Sequence, residues 1–166
     1  MVTLRLILKF IFFFPGTFLH ELAHYAAALV LGRAEGFSVW PRMEGDNFVF
    51  GSVKSRTRYK VLSSFIALAP VIWWVVLVLT LRHLHFIRTL SGVPSINFGM
   101  IAIKLKSFTS SDALFLWLFL QILWAGRPSL QDVKNFISGF FSVSGIMLAS
   151  ASAAVIYIIG RFILNP

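Results

Sequence analysis

The chain has 166 residues, of which 58% are hydrophobic and only 13% are charged, and its mean hydropathy is +0.84. Soluble domains average about 45–50% apolar and about 25% charged residues, so this composition excludes a disordered chain, a solvated coiled coil and most water-soluble enzymes. The length fits one domain. We therefore expect a single membrane domain over residues 1–166 that is all-α and polytopic.

The charge of the chain is strongly basic, since 15 Lys and Arg against 6 Asp and Glu give a formal net charge of +9. Basic residues that flank apolar segments meet the anionic headgroups of a bilayer. No nucleic-acid recognition motif accompanies the charge, so the expected partner is the lipid bilayer and not a nucleic acid. The sequence contains no cysteine, which excludes disulfides and thiolate ligands for a metal.

The first apolar segment covers residues 4–31 and predicts a helix of roughly 42 Å, longer than the roughly 30 Å hydrocarbon core. Pro15 and Gly16 lie in its middle, so we expect a kink or a break there. A secretory signal peptide would share the basic start and the apolar run. Three ionisable residues inside the run argue against that alternative.

A polar stretch follows the first helix, and it predicts a small β-hairpin at about residues 36–53. The two strands would be Phe37–Trp40 and Phe48–Phe50. The residues between them, Glu44–Asn47, have the composition of a turn. The hairpin would therefore stand directly after the first membrane helix.

Three further transmembrane helices are predicted, at about residues 61–81, 108–125 and 136–163, which makes about four in all. Between the first two of these, residues 82–111 are predicted to be a loop. Its inner stretch, Val93–Ile103, is apolar enough to lie on the membrane or to dip into it.

His20, Glu21 and His24 form an H-E-x-x-H motif within the first predicted helix. The two histidines are four residues apart, so both imidazoles project from one helix face and can bind one Zn²⁺. Glu21 lies beside them and is placed to take a proton from a water that the metal activates. Ionisable residues within a membrane helix are costly, which favours a metal site over a structural pair of histidines.

Residues 14–32 read F-P-G-T-F-L-H-E-L-A-H-Y-A-A-A-L-V-L-G, and they resemble the site-2 protease family of intramembrane zinc metalloproteases. The resemblance covers roughly the first half of the chain. It implies a membrane-associated β-hairpin after the motif helix, zinc as the cofactor and Glu21 as the catalytic base. The implied activity is hydrolysis of peptide bonds in or near transmembrane segments of membrane proteins. The implied location is multi-pass in a membrane, most naturally a prokaryotic cell (inner) membrane.

The family's third zinc ligand is an Asp on a later helix, in an Asn-Pro-Asp-Gly or Leu-Asp-Gly context, and neither context occurs here. Two aspartates, Asp112 and Asp132, follow the predicted hairpin. With four spans, Asp132 starts its helix on the side of the membrane nearer the motif, whereas Asp112 starts on the opposite side. We therefore expect Asp132 to be the ligand. The alternative is that Asp132, which follows Ser129 by three residues, only caps its helix.

Two other interpretations of the motif remain open. The chain could be a non-proteolytic membrane protein that uses the H-E-x-x-H site to bind a metal or a partner, or, less favoured, a zinc transporter. A transporter is expected to place further acids or histidines along a path, and the sequence offers no second pair. His83 and His85, beside Arg82, are expected at the membrane interface rather than on a metal.

Overall fold

A computed structural model of the chain describes residues 4–44, 47–90 and 93–164, and most of them are helical. The helices are α1 Leu4–Leu31, α2 Lys60–Leu68, α3 Ile72–His83, α4 Phe98–Lys106, α5 Ser110–Ala125, α6 Leu130–Phe140 and α7 Val143–Leu164. The strands are β1 Arg33–Ser38, β2 Arg42–Glu44, β3 Asn47–Val49, β4 Ser52–Arg56, β5 Ile87–Leu90 and β6 Val93–Ile96. The predicted helical character is confirmed, and so is a hairpin after the first helix.

Helix α1 has the predicted bounds and continues through Pro15, so the expected break is absent. The side chain of Gln121, on α5, explains how the helix continues. The Gly16 N–H donates to Gln121 Oε1 at 3.1 Å, and Gln121 Nε2 donates to the Phe12 carbonyl at 3.0 Å. In a regular helix the Gly16 N–H would donate to the Phe12 carbonyl. The Gln121 amide stands between these two groups and satisfies both, next to the proline. It also ties α1 to α5.

The hairpin is longer than predicted, because it extends over residues 33–56 rather than 36–53. β1 pairs with β4 in antiparallel register from Arg33–Arg56 to Ser38–Ser52, and β2 pairs with β3 beyond them. The predicted strand Phe37–Trp40 is wrong in its second half, since β1 ends at Ser38. The base of the hairpin consists of polar residues that carry no apolar signal, which is why the prediction began too late.

The turn predicted at Glu44–Asn47 joins β2 to β3, although Gly45 and Asp46 lie outside the described residues. Phe37 holds the hairpin against α1, because its ring contacts those of Phe18 and Tyr25 at centroid distances of 6.0 and 5.5 Å. The strands that follow the turn are thereby kept over the motif helix.

The predicted span at 61–81 consists of two helices, α2 and α3, joined by a 3₁₀ turn at Ala69–Val71. Pro70 lies in this turn and is buried. Proline has no N–H to donate to the helical ladder, so the α-helix ends before it and restarts after it. α2 and the 3₁₀ turn pack on α1, where His24 Nδ1 meets the Ile66 carbonyl and Trp73 Nε1 donates to the Leu19 carbonyl, whereas α3 packs on α5.

The loop predicted at 82–111 is wrong, because that segment contains the β5–β6 hairpin and α4. Asn97 organises this region: its side chain accepts from the Met100 N–H and donates to the His85 carbonyl at 2.9 Å. The asparagine therefore caps α4 and fixes its start against the preceding turn. Short strands of mixed composition give little periodic signal, so the prediction missed them.

The last predicted spans also differ from the helices that form. The span at 108–125 begins at Ser110, because Thr109 caps α5. The span at 136–163 is divided into α6 and α7 at Phe141–Ser142, and α6 starts six residues earlier than predicted, at Leu130. Ser129 caps α6, so the polar residues that follow it are helical.

Two segments of the described chain are long and apolar enough to cross a membrane, Lys60–His83 and Ser110–Phe140. The first contains the 3₁₀ turn, and the second contains the turn between α5 and α6. Val143–Ile156 is a shorter apolar helix. Length and apolar composition at this level are compatible with a membrane location.

Candidate metal centre

The two histidines of α1 and the first acidic residue of α6 converge on one point. The Nε2 atoms of His20 and His24 are 3.2 Å apart. Asp132 Oδ1 lies 3.1 Å from His24 Nε2, and Asp132 Oδ2 lies 3.4 Å from His20 Nε2. All three side chains offer a ligand atom within 4.8 Å of one another. A group of two imidazoles and one carboxylate is therefore assembled from two separate helices.

Each imidazole is oriented through its other ring nitrogen. His20 Nδ1 lies 2.9 Å from the carbonyl of Ala125, and His24 Nδ1 lies 2.7 Å from the carbonyl of Ile66. A carbonyl can only accept, so each Nδ1 carries the proton and donates it. The two Nε2 atoms are left with lone pairs that face Asp132, which is the usual arrangement around a histidine-bound metal.

The spacing of the donor atoms fits a zinc ion. Zinc binds nitrogen and oxygen donors at about 2.0–2.2 Å in a tetrahedron, which puts neighbouring donors about 3.3 Å apart. The two Nε2 atoms are 3.2 Å apart, and each lies near a different Asp132 oxygen, at 3.1 and 3.4 Å; with one oxygen taken from the carboxylate, the three ligand atoms lie within 4.8 Å of one another. Three protein ligands leave the fourth position of a tetrahedron open, as in catalytic rather than structural zinc sites.

Asp132 is held in place by the start of its own helix. The Ser129 N–H donates to Asp132 Oδ2 at 2.7 Å, and the Asp132 N–H donates to Ser129 Oγ at 3.1 Å. This capping box fixes the carboxylate in the first turn of α6. The ligand role and the capping role, which stood as alternatives from sequence, are compatible in this geometry.

The packing of α6 on α2 brings the capped Asp132 towards the histidines. A Cβ at Gly139 would lie only 2.5 Å from the Lys60 carbonyl and closer still to Ser64 Oγ. Ser64 Oγ donates to the Phe136 carbonyl at 2.9 Å. The two helices therefore meet at a distance that only glycine allows at this position.

Glu21 is buried next to the histidines, with 7% of its surface exposed, and the hairpin lies against it. A Cβ at Gly51 would lie 2.7 Å from Glu21 Cγ and 2.9 Å from Glu21 Oε1. The backbone between β3 and β4 thus passes directly over the carboxylate. A larger residue at position 51 would have to displace one or the other.

A cleft of about 930 Å³ contains the four motif and ligand side chains, His20, Glu21, His24 and Asp132. Hairpin residues 49–55 line one part of it, and Trp124 with residues 127–135 lines another part. The hairpin therefore contributes directly to the space in front of the candidate metal centre.

The other candidate residues lie elsewhere. Asp112 caps α5 and pairs with Lys104 at 3.1 Å. His83 is the last residue of α3, and His85 follows in the turn with φ of 62°; both are exposed. No described residue other than His20, His24 and Asp132 joins a three-residue group of possible metal ligands.

Sequence reasoning missed three residues that shape the site. The role of Gln121 could have been inferred from the sequence. An amide within an apolar helix needs a hydrogen-bond partner, and the helix around Pro15 has backbone groups that lack one. Gly51 gave no local signal, since its neighbour Glu21 is distant in sequence. Thr17, one turn before Glu21, lines the cleft with a buried hydroxyl that has no hydrogen-bond partner among the described residues.

Two imidazoles and a carboxylate, beside a buried glutamate, form a group on this helical scaffold that could hold a metal ion. No family model, no curated protein and no solved structure matches the chain. The function is therefore inferred from the geometry of this site and from the resemblance of the motif segment.

Proposed function

We propose that the protein is an intramembrane zinc metalloprotease that hydrolyses peptide bonds in or near transmembrane segments of membrane proteins. The observation that carries this proposal is the approach of Asp132 to His20 and His24, with Glu21 buried next to them. Asp132, on the distant helix α6, would thus be the third ligand beside the two histidines of the motif.

A multi-pass membrane location is part of the proposal, in a prokaryotic cell membrane as the resemblance implies. Large apolar side chains are exposed along most of the helices, for example Leu4 at 70%, Val30 at 83% and Ile156 at 70%. Helix α5 also exposes leucines at positions 114, 116, 118, 120 and 123. Apolar surface on this scale exceeds the single patches of soluble monomers and suits contact with lipid.

Zinc would be held by Nε2 of His20 and His24 and by the Asp132 carboxylate, where it would supply a Lewis acid for a water and for the scissile carbonyl. Glu21 accepts the proton of the attacking water as the oxygen–carbon bond forms. It then gives this proton to the amine nitrogen as the carbon–nitrogen bond breaks. The two backbone carbonyls behind the histidines keep the rings in the required orientation throughout.

A helix hides its own peptide bonds, so a helical substrate must unwind locally before it can be cleaved. The hairpin would bind the unwound segment in an extended conformation. β4 pairs with β1 along one edge, and its residues Ser52–Ser55 line the cleft. An added substrate strand could pair with the edge that faces the cleft. Phe50→Pro is expected to impair cleavage while zinc stays bound, and Phe50→Leu, which keeps the N–H, is the control. Unchanged cleavage by the proline variant would contradict this role.

The decisive experiment uses Glu21→Gln in the purified, zinc-loaded protein with a model transmembrane substrate. We expect turnover to fall by at least about a hundredfold, because the base is lost, while bound zinc per chain is unchanged. Cleavage is followed by mass spectrometry and zinc by elemental analysis. Equal cleavage by the wild-type and Glu21→Gln proteins would contradict a proteolytic role for the site.

A second candidate function is a non-proteolytic membrane protein that binds a metal at the same site. It is favoured by one observation, which is that Val133 follows Asp132 where the family has glycine. Such a protein would bind zinc through His20, His24 and Asp132 but would cleave no substrate. Glu21→Gln would then leave its function unaffected.

A further inference from the structure

Five basic residues line the cleft in front of the candidate metal centre: Arg42 and four others that we call the basic rim, which are Lys9, Lys54, Arg127 and Lys134. All four are exposed, and all four line the cleft. None of them forms an ion pair with a carboxylate in the described part of the chain. They come from α1, β4, the turn before α6 and α6 itself, so the positive charge at the cleft is drawn from four segments and not from one helix.

The acids of the cleft do not neutralise the rim. Among the residues that the structure describes, the acidic ones that line it are Glu21 and Asp132, and both are buried beside the histidines. Asp132 is occupied by the two imidazoles and by Ser129. The outer part of the cleft therefore has an excess of positive charge, and a cleft lined by one sign of charge concentrates ligands of the other sign.

Two of the rim cations are positioned by an aromatic ring and not by an anion. The Lys9 ammonium lies 5.2 Å and the Arg127 guanidinium 5.7 Å from the centroid of the Trp124 ring. Phe13 stacks on the same ring at 4.4 Å. A cation–π contact orients the charged group while its N–H donors stay available to an anionic partner.

We propose that the cleft selects peptide segments that carry Asp or Glu beside the bond to be cleaved. This proposal rests on the proposed function, since it names the substrate of the same site. An extended peptide fits better than a lipid headgroup because Lys54 lies on β4, whose backbone is the part of the cleft that can pair with a strand. Acidic side chains on that peptide would meet the basic rim.

The test measures binding, so that it does not depend on turnover. The Glu21→Gln protein, zinc-loaded and in neutral detergent, is titrated with a labelled peptide that has an apolar centre and three acidic residues at one side. The matched peptide has Asn and Gln in those places. We expect the acidic peptide to bind about tenfold more tightly at low salt, with a difference that shrinks as salt rises.

The variant pair distinguishes the rim from the general basicity of the chain. Arg127→Gln combined with Lys134→Gln should remove most of the preference. Arg88→Gln combined with Lys106→Gln, which removes the same charge from residues that do not line the cleft, should keep it. Equal binding of the two peptides, or a preference that survives the rim substitutions, would overturn the proposal, whether or not the wild-type protein cleaves any substrate.

A lipid headgroup is tested as the competing anion. The wild-type and rim-substituted proteins are placed in nanodiscs of phosphatidylcholine with or without phosphatidylglycerol. If phosphatidylglycerol binds through the rim and the peptide preference is absent in both discs, the rim is a lipid site and the proposal is wrong. A peptide preference that persists in phosphatidylcholine discs and is lost in the rim variant supports it.

Discussion

The N-termini of α5 and α6 are built by the same local device, yet only the second belongs to the candidate metal centre. In both, the acid three residues after the cap accepts from the backbone N–H of the cap, and the hydroxyl of the cap accepts in return. The pairs are Thr109 with Asp112 and Ser129 with Asp132. Sequence alone makes the two helix starts nearly equivalent.

What separates the two aspartates is the surface that each meets. Asp132 is buried and lies within 3.4 Å of both imidazoles, whereas Asp112 pairs with the exposed Lys104. The packing of α6 on α2 around Gly139 brings Asp132 to the motif helix. A capping box therefore fixes the direction of a carboxylate, and tertiary packing decides whether that carboxylate becomes a ligand.

The largest expected effect comes from Asp132→Asn compared with Asp112→Asn. The first substitution removes a charged ligand from the group, so zinc affinity should fall by more than about a hundredfold, beyond the loss typical for residues behind the ligands. The second should leave zinc affinity unchanged. Competition with a chelator of known affinity measures both.

Two controls complete this comparison. Proteolytic turnover should disappear with Asp132→Asn and persist with Asp112→Asn, if the proposed function is correct. Equal zinc affinity in the two variants would show that Asp132 is only a capping acid, and the three-ligand site would have to be abandoned.

Gly139→Ala tests the packing that makes the difference between the two helix starts. A methyl group there meets the Lys60 carbonyl and Ser64 Oγ, so α6 must move away from α2. We expect a loss of about 1–3 kcal/mol in the free energy of unfolding, together with weaker zinc binding because Asp132 moves too. Thermal unfolding in detergent, with and without zinc, reports both changes.

The matched control for this substitution is Gly99→Ala in α4. The nearest atom to a Cβ at Gly99 is Asn97 Oδ1 at 3.5 Å, which is an ordinary contact. Alanine there should keep or slightly raise stability, because it favours the helix more than glycine does. A Gly139→Ala protein as stable as the Gly99→Ala protein would show that α2 and α6 are not held by this contact.

Ser129→Ala and Thr109→Ala compare the two caps directly. Each removes a hydroxyl that accepts from the third residue of its helix, at a typical cost of about 1 kcal/mol. For a chain of this size that corresponds to a fall of about 2–4 °C in Tm. Only Ser129→Ala should also weaken zinc binding, by about tenfold or more: without Oγ the Asp132 N–H loses its acceptor, the first turn of α6 loosens, and the bond from the Ser129 N–H holds the carboxylate less firmly. Identical zinc affinities in the two variants would separate the cap from the metal centre.

The parts of the molecule that follow from local sequence could be predicted, and those that follow from contacts between distant segments could not. The bounds of α1 follow from its long, mostly apolar run, and the convergence of His20 with His24 follows from helical spacing. The choice of Asp132 over Asp112 came from counting spans, and the structure places only Asp132 beside the histidines.

The missed features share one physical cause, which is that their partners are far away in sequence. Gln121 takes its role from Phe12 and Gly16, more than a hundred residues before it, and Gly51 takes its role from Glu21. The divided spans at Pro70 and at Phe141 show that a hydropathy profile reports composition but not continuity. The β5–β6 hairpin was missed because its short strands have no clear alternation.

The smallest effect is expected for Lys104→Gln, which removes the partner that distinguishes Asp112 from Asp132. The Lys104 side chain in this pair is 48% exposed. Water and salt strongly screen ion pairs of such exposed side chains. We expect no measurable change in Tm and none in zinc affinity at physiological salt. A clear fall in Tm that vanishes at high salt would contradict this expectation. It would show that the ion pair between Lys104 and Asp112 stabilises the start of α5. Both capping acids would then have a stabilising partner, an ammonium for Asp112 and two imidazoles for Asp132. The chemistry of the partner, and not its strength, would distinguish the two helix starts.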